Sequence, residues 1–230
     1  MHKIDVLTQK LRREVAVWYR LHHPNIIPLL GITYDFGTCL SMVSPWRAKG
    51  TLNTYLNSSE PRAHDLGLLL RDVTAGLAYL HSEDIIHGDL HPANILISDT
   101  GLAQLTDFGL SMIMPEFEGT SYMTSSPTHG AVRWAAPELF RDGTTSSDVS
   151  TMSDIYSFGG IMQMPFYHIH NDMRVVIAIK DGQRPHRLST ISDVNWVFLK
   201  KCWESEPLDR PSLAKIFDFL DNHFHPALRT

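Results

Sequence analysis

His87-Gly-Asp-Leu-His-Pro-Ala-Asn94, followed by Asp107-Phe-Gly109, is the stretch that decides how this chain is read. Asp89 stands five residues before Asn94 and eighteen before Asp107. Phosphoryl transfer asks a protein for positioning and charge stabilisation more than for covalent help. It needs a carboxylate to orient and accept a proton from the attacking hydroxyl, and hard oxygen ligands for magnesium. Asp89 is the candidate base, and Asn94 and Asp107 are the candidate magnesium ligands.

The 230 residues, 43% hydrophobic and 20% charged, suffice for one large domain or two small lobes and argue against a disordered chain. A net charge of -5 gives no basic excess, so no nucleic-acid or anionic-membrane partner is expected. Cys39 and Cys202 are the only cysteines and lie far apart, which argues against a disulfide framework or a zinc site and fits a reducing compartment. No apolar run approaches the roughly 18 to 20 residues that span a bilayer, and Met1-His-Lys-Ile-Asp5 is charged where a signal peptide turns apolar. A cytoplasmic protein without a membrane partner is expected. The thirteen histidines show no metal-ligand spacing, and His168 and His170 read as loop residues.

Leu11, Val15, Trp18 and Leu21 form an apolar stripe along a helix over 8–22 that stops before His22-His-Pro24. Ile26 to Ile32 and Cys39 to Val43 read as two strands of a small sheet, split by the turn Tyr34-Asp-Phe-Gly37. Pro45 to Gly50 is a junction, and Leu52 to Leu56 a short helix. Leu66, Leu70, Val73, Leu77 and Leu80 recur at helical spacing, which predicts a long helix over 65–81. Ile85-Ile86, Ile95 to Ile97 and Leu102 to Leu105 read as short strands, with Asp99-Thr-Gly101 as a hairpin turn. The motif residues therefore fall on loops, where chemistry concentrates. Ser111 to Thr128 reads as a long loop ahead of Arg133-Trp-Ala-Ala-Pro-Glu138, and helices follow at about 153–163, 172–181, 193–203 and 212–222.

These residues together resemble the eukaryotic protein kinase family over nearly the whole chain. His87-Gly-Asp89 is similar to its catalytic-loop motif, Asn94 to its magnesium-binding Asn, Asp107-Phe-Gly109 to the DFG and Ala136-Pro-Glu138 to the APE. Arg133-Trp134, Cys202-Trp203 and Arg210-Pro211 look like the tyrosine-kinase-like branch. His23-Pro-Asn-Ile-Ile-Pro-Leu-Leu-Gly31 is similar to kinase-like domains of mushroom-forming fungi. The resemblance implies an α+β bilobal fold, with a truncated small lobe (helix C plus two strands) over 1–45 and a mainly helical large lobe over 46–230. It implies ATP and Mg2+ as cofactors and a protein substrate bearing a Ser, Thr or Tyr acceptor.

Residue by residue, the resemblance implies that Glu14 is the helix-C glutamate, Ser44 the gatekeeper, Pro45 a carbonyl for the adenine amino group and Arg47 an N–H for the ring. Leu96 becomes part of the adenine floor. His91 stands where Ser/Thr kinases place a phosphate-facing lysine. Trp18, Leu29, His87 and Phe108 fall on the spine that joins the two lobes, with Asp154 beneath it, and Glu138 and Arg210 form a buried anchoring pair.

Three departures carry expectations of their own. The family's glycine-rich loop and phosphate-gripping lysine have no counterpart, since Lys3 and Lys10 lie only eleven and four residues before Glu14. Each lost donor at a developing charge costs about 2.7 to 4 kcal/mol, so transfer is expected to be impaired, with a non-catalytic pseudokinase or signalling scaffold as the alternative. The helix of Ser153-Asp-Ile-Tyr-Ser-Phe-Gly159 reaches Pro165 about two turns early, so reduced stability is expected. Gly88 replaces the arginine that receives an activation-loop phosphate, so control by that route is not expected.

Overall fold

The computed structural model describes residues 15–35, 41–58, 63–108, 131–141 and 149–224. Its longest element is helix α2 (Ala63–Ser82), preceded by the short α1 (Leu52–Ser58). Leu69, Leu70, Val73, Leu77 and Leu80 of α2 are buried at steps of one, three and four, as the apolar spacing requires. That face packs on α6 (Leu213–Phe224), which contributes Ile216 and Leu220. Gly76 lets α2 come close to the Asn25 segment and β4, because a Cβ there would stand 2.9 Å from both the Asn25 carbonyl and the Leu105 side chain.

Among the described residues four short strands make two antiparallel pairs. Strand β1 (Gly31–Thr33) pairs with β2 (Ser41–Val43), Gly31 opposite Val43. Strand β3 (Ile95–Ile97) pairs with β4 (Ala103–Leu105), Ile95 opposite Leu105. Gly101, at φ +90°, closes the second hairpin in the left-handed region that glycine enters freely.

The strand expected over Ile26 to Ile32 divides. Only its end enters the small sheet, while Ile26 bridges Leu105 in parallel, with Ile27 N–H donating to Leu105 O (3.0 Å) and Leu105 N–H to Asn25 O (2.8 Å). Ile26 and Ile27 are buried, so hydrophobic burial was read correctly but its partner was not. Ile85-Ile86 is not a strand either. Asp84 turns at φ +58° and Ile85 N–H returns to Leu80 O (2.9 Å), closing the C-terminal end of α2.

A second core gathers around α3 (Thr151–Gly159), α4 (Asp172–Lys180) and α5 (Asp193–Cys202). Each has a side-chain N-cap, from Ser150, Asn171 and Ser192 respectively, and Ser150 with Ser153 completes a capping box. Helix α3 stops at Gly159, so its expected span of 153–163 is shortened further. The chain reaches α4 through Phe166, buried at φ +52°. Glu14, Cys39, Gly109 and the expected loop over Ser111 to Thr128 lie outside the described residues.

Candidate active site

Asp154 organises the catalytic stretch. It is 1% exposed, and its two oxygens accept from His87 N–H (2.9 Å) and Gly88 N–H (2.8 Å), with His81 Nε2 at 2.8 Å. A buried carboxylate so fully bonded holds the loop rather than destabilising it. Gly88 lies at φ +75°, a conformation a side chain would strain. His81 was not foreseen from the sequence, because nothing at the end of a helix marks its last histidine as a partner for a residue 73 positions on.

Above Asp154 the aromatic rings form a ladder. His87 meets Phe108 edge-on (6.4 Å between centroids), Phe108 meets Trp18 edge-on (5.8 Å), and Trp18 Nε1–H donates to Ile27 O (2.7 Å). Leu29 is buried in the same core. The expected spine residues are thus brought together. Burial lowers the His87 pKa from its ordinary value.

Beside this ladder, Asn94 Nδ2–H donates to the Asp89 carbonyl (2.9 Å) and reaches toward its carboxylate (3.3 Å). Thr106 N–H donates to Asn94 O (3.1 Å), which brings Asp107 next to the Asn94 loop at φ +55°. Asp107 is open to solvent on one side and crowded on the other. Desolvation raises its carboxyl above the usual range, an effect that His87 opposes and the charge of Asp89 reinforces. Among the described residues no three His, Cys, Asp or Glu side chains converge as a metal cage. Asn94 and Asp107, an amide and a carboxylate, carry side-chain oxygens of the kind a hard divalent cation takes.

His91 is buried, caps the turn Pro92–Asn94 through Nδ1, which accepts from Ala93 N–H (3.3 Å), and holds Nε2 3.6 Å from Asp89 Oδ2. Trp134 stands against its ring (5.7 Å). The contact of Trp134 with this loop was not legible in the sequence, because 43 residues separate the two in the chain.

The segment expected to meet adenine leaves β2 at Ser44 and returns at Thr51, which bridges Leu96 on β3, while Ile97 N–H donates to Gly50 O (2.9 Å). Ser44, Pro45, Arg47 and Leu96 are all partly buried along this path, whereas Trp46 is 87% exposed. Arg47 O accepts from Gly50 N–H (2.9 Å), and its Nε is buried without a partner.

The Asp89–Asn94 hydrogen bonds thus sit in a loop tied at His87 and Gly88 to the buried Asp154, beside the ladder of His87, Phe108 and Trp18. The family model for protein tyrosine and serine/threonine kinases matches residues 2–220, and the chain belongs to that family, in its tyrosine-kinase-like type. It is similar to the serine/threonine/tyrosine-protein kinase HT1 of Arabidopsis thaliana, 27% identical over 94% of this chain and 55% of the relative. It is also similar to the serine/threonine-protein kinase CTR1 of Arabidopsis thaliana, 33% identical over 90% of this chain and 26% of that protein. Ephrin type-A receptor 5 of Homo sapiens is 29% identical over 93% of this chain and 21% of the receptor. The chain thus spans about half, or less, of the length of these relatives. No described helix is long and apolar enough to cross a membrane.

Proposed function

We propose that this chain is an ATP-dependent protein kinase that transfers the γ-phosphoryl group to a Ser, Thr or Tyr hydroxyl of a protein. The observation that supports this reading is the pair of hydrogen bonds from Asn94 Nδ2 to the Asp89 carbonyl and carboxylate, which ties the candidate base to the candidate metal ligand. Asp89 would orient the acceptor hydroxyl and take its proton. Asn94 and Asp107 would hold magnesium, which when bound neutralises charge on the phosphates. His91 would face the transferred phosphate.

For the nucleotide base, Pro45 would offer its carbonyl, Arg47 its N–H, Leu96 the floor and Ser44 the wall at the back. Proline suits its place because only an acceptor is asked of it. Glu14 keeps the helix-C role in this proposal, as do the lobe limits 1–45 and 46–230 and the cytoplasmic setting. The names of the relatives speak for both Ser/Thr and Tyr acceptors. Calorimetric titration with ATP tests the site. Binding that strengthens with magnesium, and loses that gain in Asp107→Asn, supports it, whereas magnesium-independent binding of equal strength in both proteins overturns the metal assignment.

A further inference from the structure

Trp134 and His91 meet across the boundary between the segment leading to Ala135-Ala-Pro137 and the catalytic loop. Trp134 is held from two directions, since its Nε1–H donates to Gly160 O (2.8 Å) and its carbonyl accepts from Ser157 Oγ (2.9 Å). The preceding residue is held as firmly, because Arg133 is buried and its guanidinium donates to Phe166 O (2.9 Å) and Asp172 Oδ1 (3.0 Å). A ring fixed this way makes a rigid wall, and the wall faces His91 at 5.7 Å and 40°.

His91 has one committed nitrogen and one open one. Nδ1 accepts from Ala93 N–H, and a neutral imidazole that accepts at Nδ1 carries its proton on Nε2. That Nε2 is buried, has no hydrogen-bond partner, and stands 3.6 Å from Asp89 Oδ2, too far for a bond between them. A buried donor without a partner carries a cost of its own, which an oxygen arriving beside Asp89 would remove.

We infer that Trp134 is a positioning residue for the phosphoryl-transfer site: its indole fixes the His91 ring, so that one neutral N–H stands open beside Asp89 to receive an oxygen of the reacting group. The inference rests on the kinase reading proposed above. Trp134 acts through His91 and touches no substrate, which separates it from Asp89.

Serine also caps helical turns, so His91→Ser keeps the bond to Ala93 and removes only the donor. His91→Asn keeps a cap and supplies an amide donor. For steady-state transfer from ATP we expect kcat of His91→Ser to fall about a hundredfold, the loss of one preorganised donor, with KM for ATP nearly unchanged. We expect His91→Asn to recover part of that loss. Trp134→Leu should fall likewise and Trp134→Phe less, and His91→Ser with Trp134→Leu should be no worse than the poorer single variant, as one unit behaves. Folded His91→Ser or Trp134→Leu with kcat within about twofold of wild type overturns the inference.

The wild-type chain supplies a readout that needs neither activity nor a variant that folds. Long-range 15N–1H correlation of His91 should show the Nε2–H tautomer, and an Nδ1–H tautomer overturns the inference. If wild type transfers no more phosphate than Asp89→Asn, the kinase reading fails, and the tautomer still decides whether the His91 geometry holds.

Discussion

Arg210 grips Glu138 through both of its terminal nitrogens, Nη1 to Oε1 at 2.6 Å and Nη2 to Oε2 at 2.7 Å, with the arginine side chain wholly buried. The guanidinium is further tied to Met152 O (2.8 Å) and Glu204 O (2.9 Å) and lies over the Tyr156 ring at 5.2 Å. One residue thus joins the Ala136-Pro-Glu138 turn, the start of α3 and the approach to α6. Removing either partner leaves a buried charge uncompensated, so Glu138→Ala or Arg210→Ala should cost about 3 to 5 kcal/mol. Urea unfolding checks this, and a loss below about 1 kcal/mol would show that water reaches the pair.

His87 should make stability fall in mild acid. Burial lowers its pKa, so the fold holds it neutral. Stability from that neutral state is fully present above the unfolded value of 6.5 and is lost as pH falls from there through the depressed folded value. Asp72 and Asp107, whose carboxyls are raised chiefly by burial, act in the opposite sense at lower pH. Unfolding midpoints between pH 7.5 and about 5.5, compared with those of His87→Gln, isolate the contribution. The slope should flatten in the variant.

Magnesium affinity should itself depend on pH. Desolvation raises the Asp107 carboxyl, so near and below that raised value a cation has to displace a proton. Apparent affinity should climb as pH rises through this window and level off above it, with a matching proton release in calorimetry. A flat profile would mean that Asp107 is not a ligand.

Gly160→Ala should disturb the site from behind. A Cβ there would press into the Trp134 ring and stand 2.8 Å from Pro165 Cγ. Overpacking of this kind costs about 1 to 3 kcal/mol. Thermal unfolding should register that loss, and transfer should drop with it because the displaced ring is the one against His91.

The large-lobe helices were legible because their burial follows the 3.6-residue period, as Leu70, Val73, Leu77 and Leu80 show. The family was legible because the residues from His87 to Asn94 and from Asp107 match its motifs. Ile26 and Ile85 were misjudged for a shared reason. Each is apolar and buried, yet a single bridge or a helix-closing turn needs no alternation that a sequence could display. The contacts of His81 with Asp154 and of Trp134 with His91 were invisible, since they join residues 73 and 43 positions apart without any local pattern.

Transfer of labelled phosphate from ATP, measured for the wild-type chain and for Asp89→Asn, tests the central claim. Both proteins should unfold at the same midpoint, because Asp89 is partly open and its substitution leaves the Asp154 network intact. The account predicts magnesium-dependent transfer by wild type and its loss in Asp89→Asn. Equal signal from the two would contradict catalysis by this site.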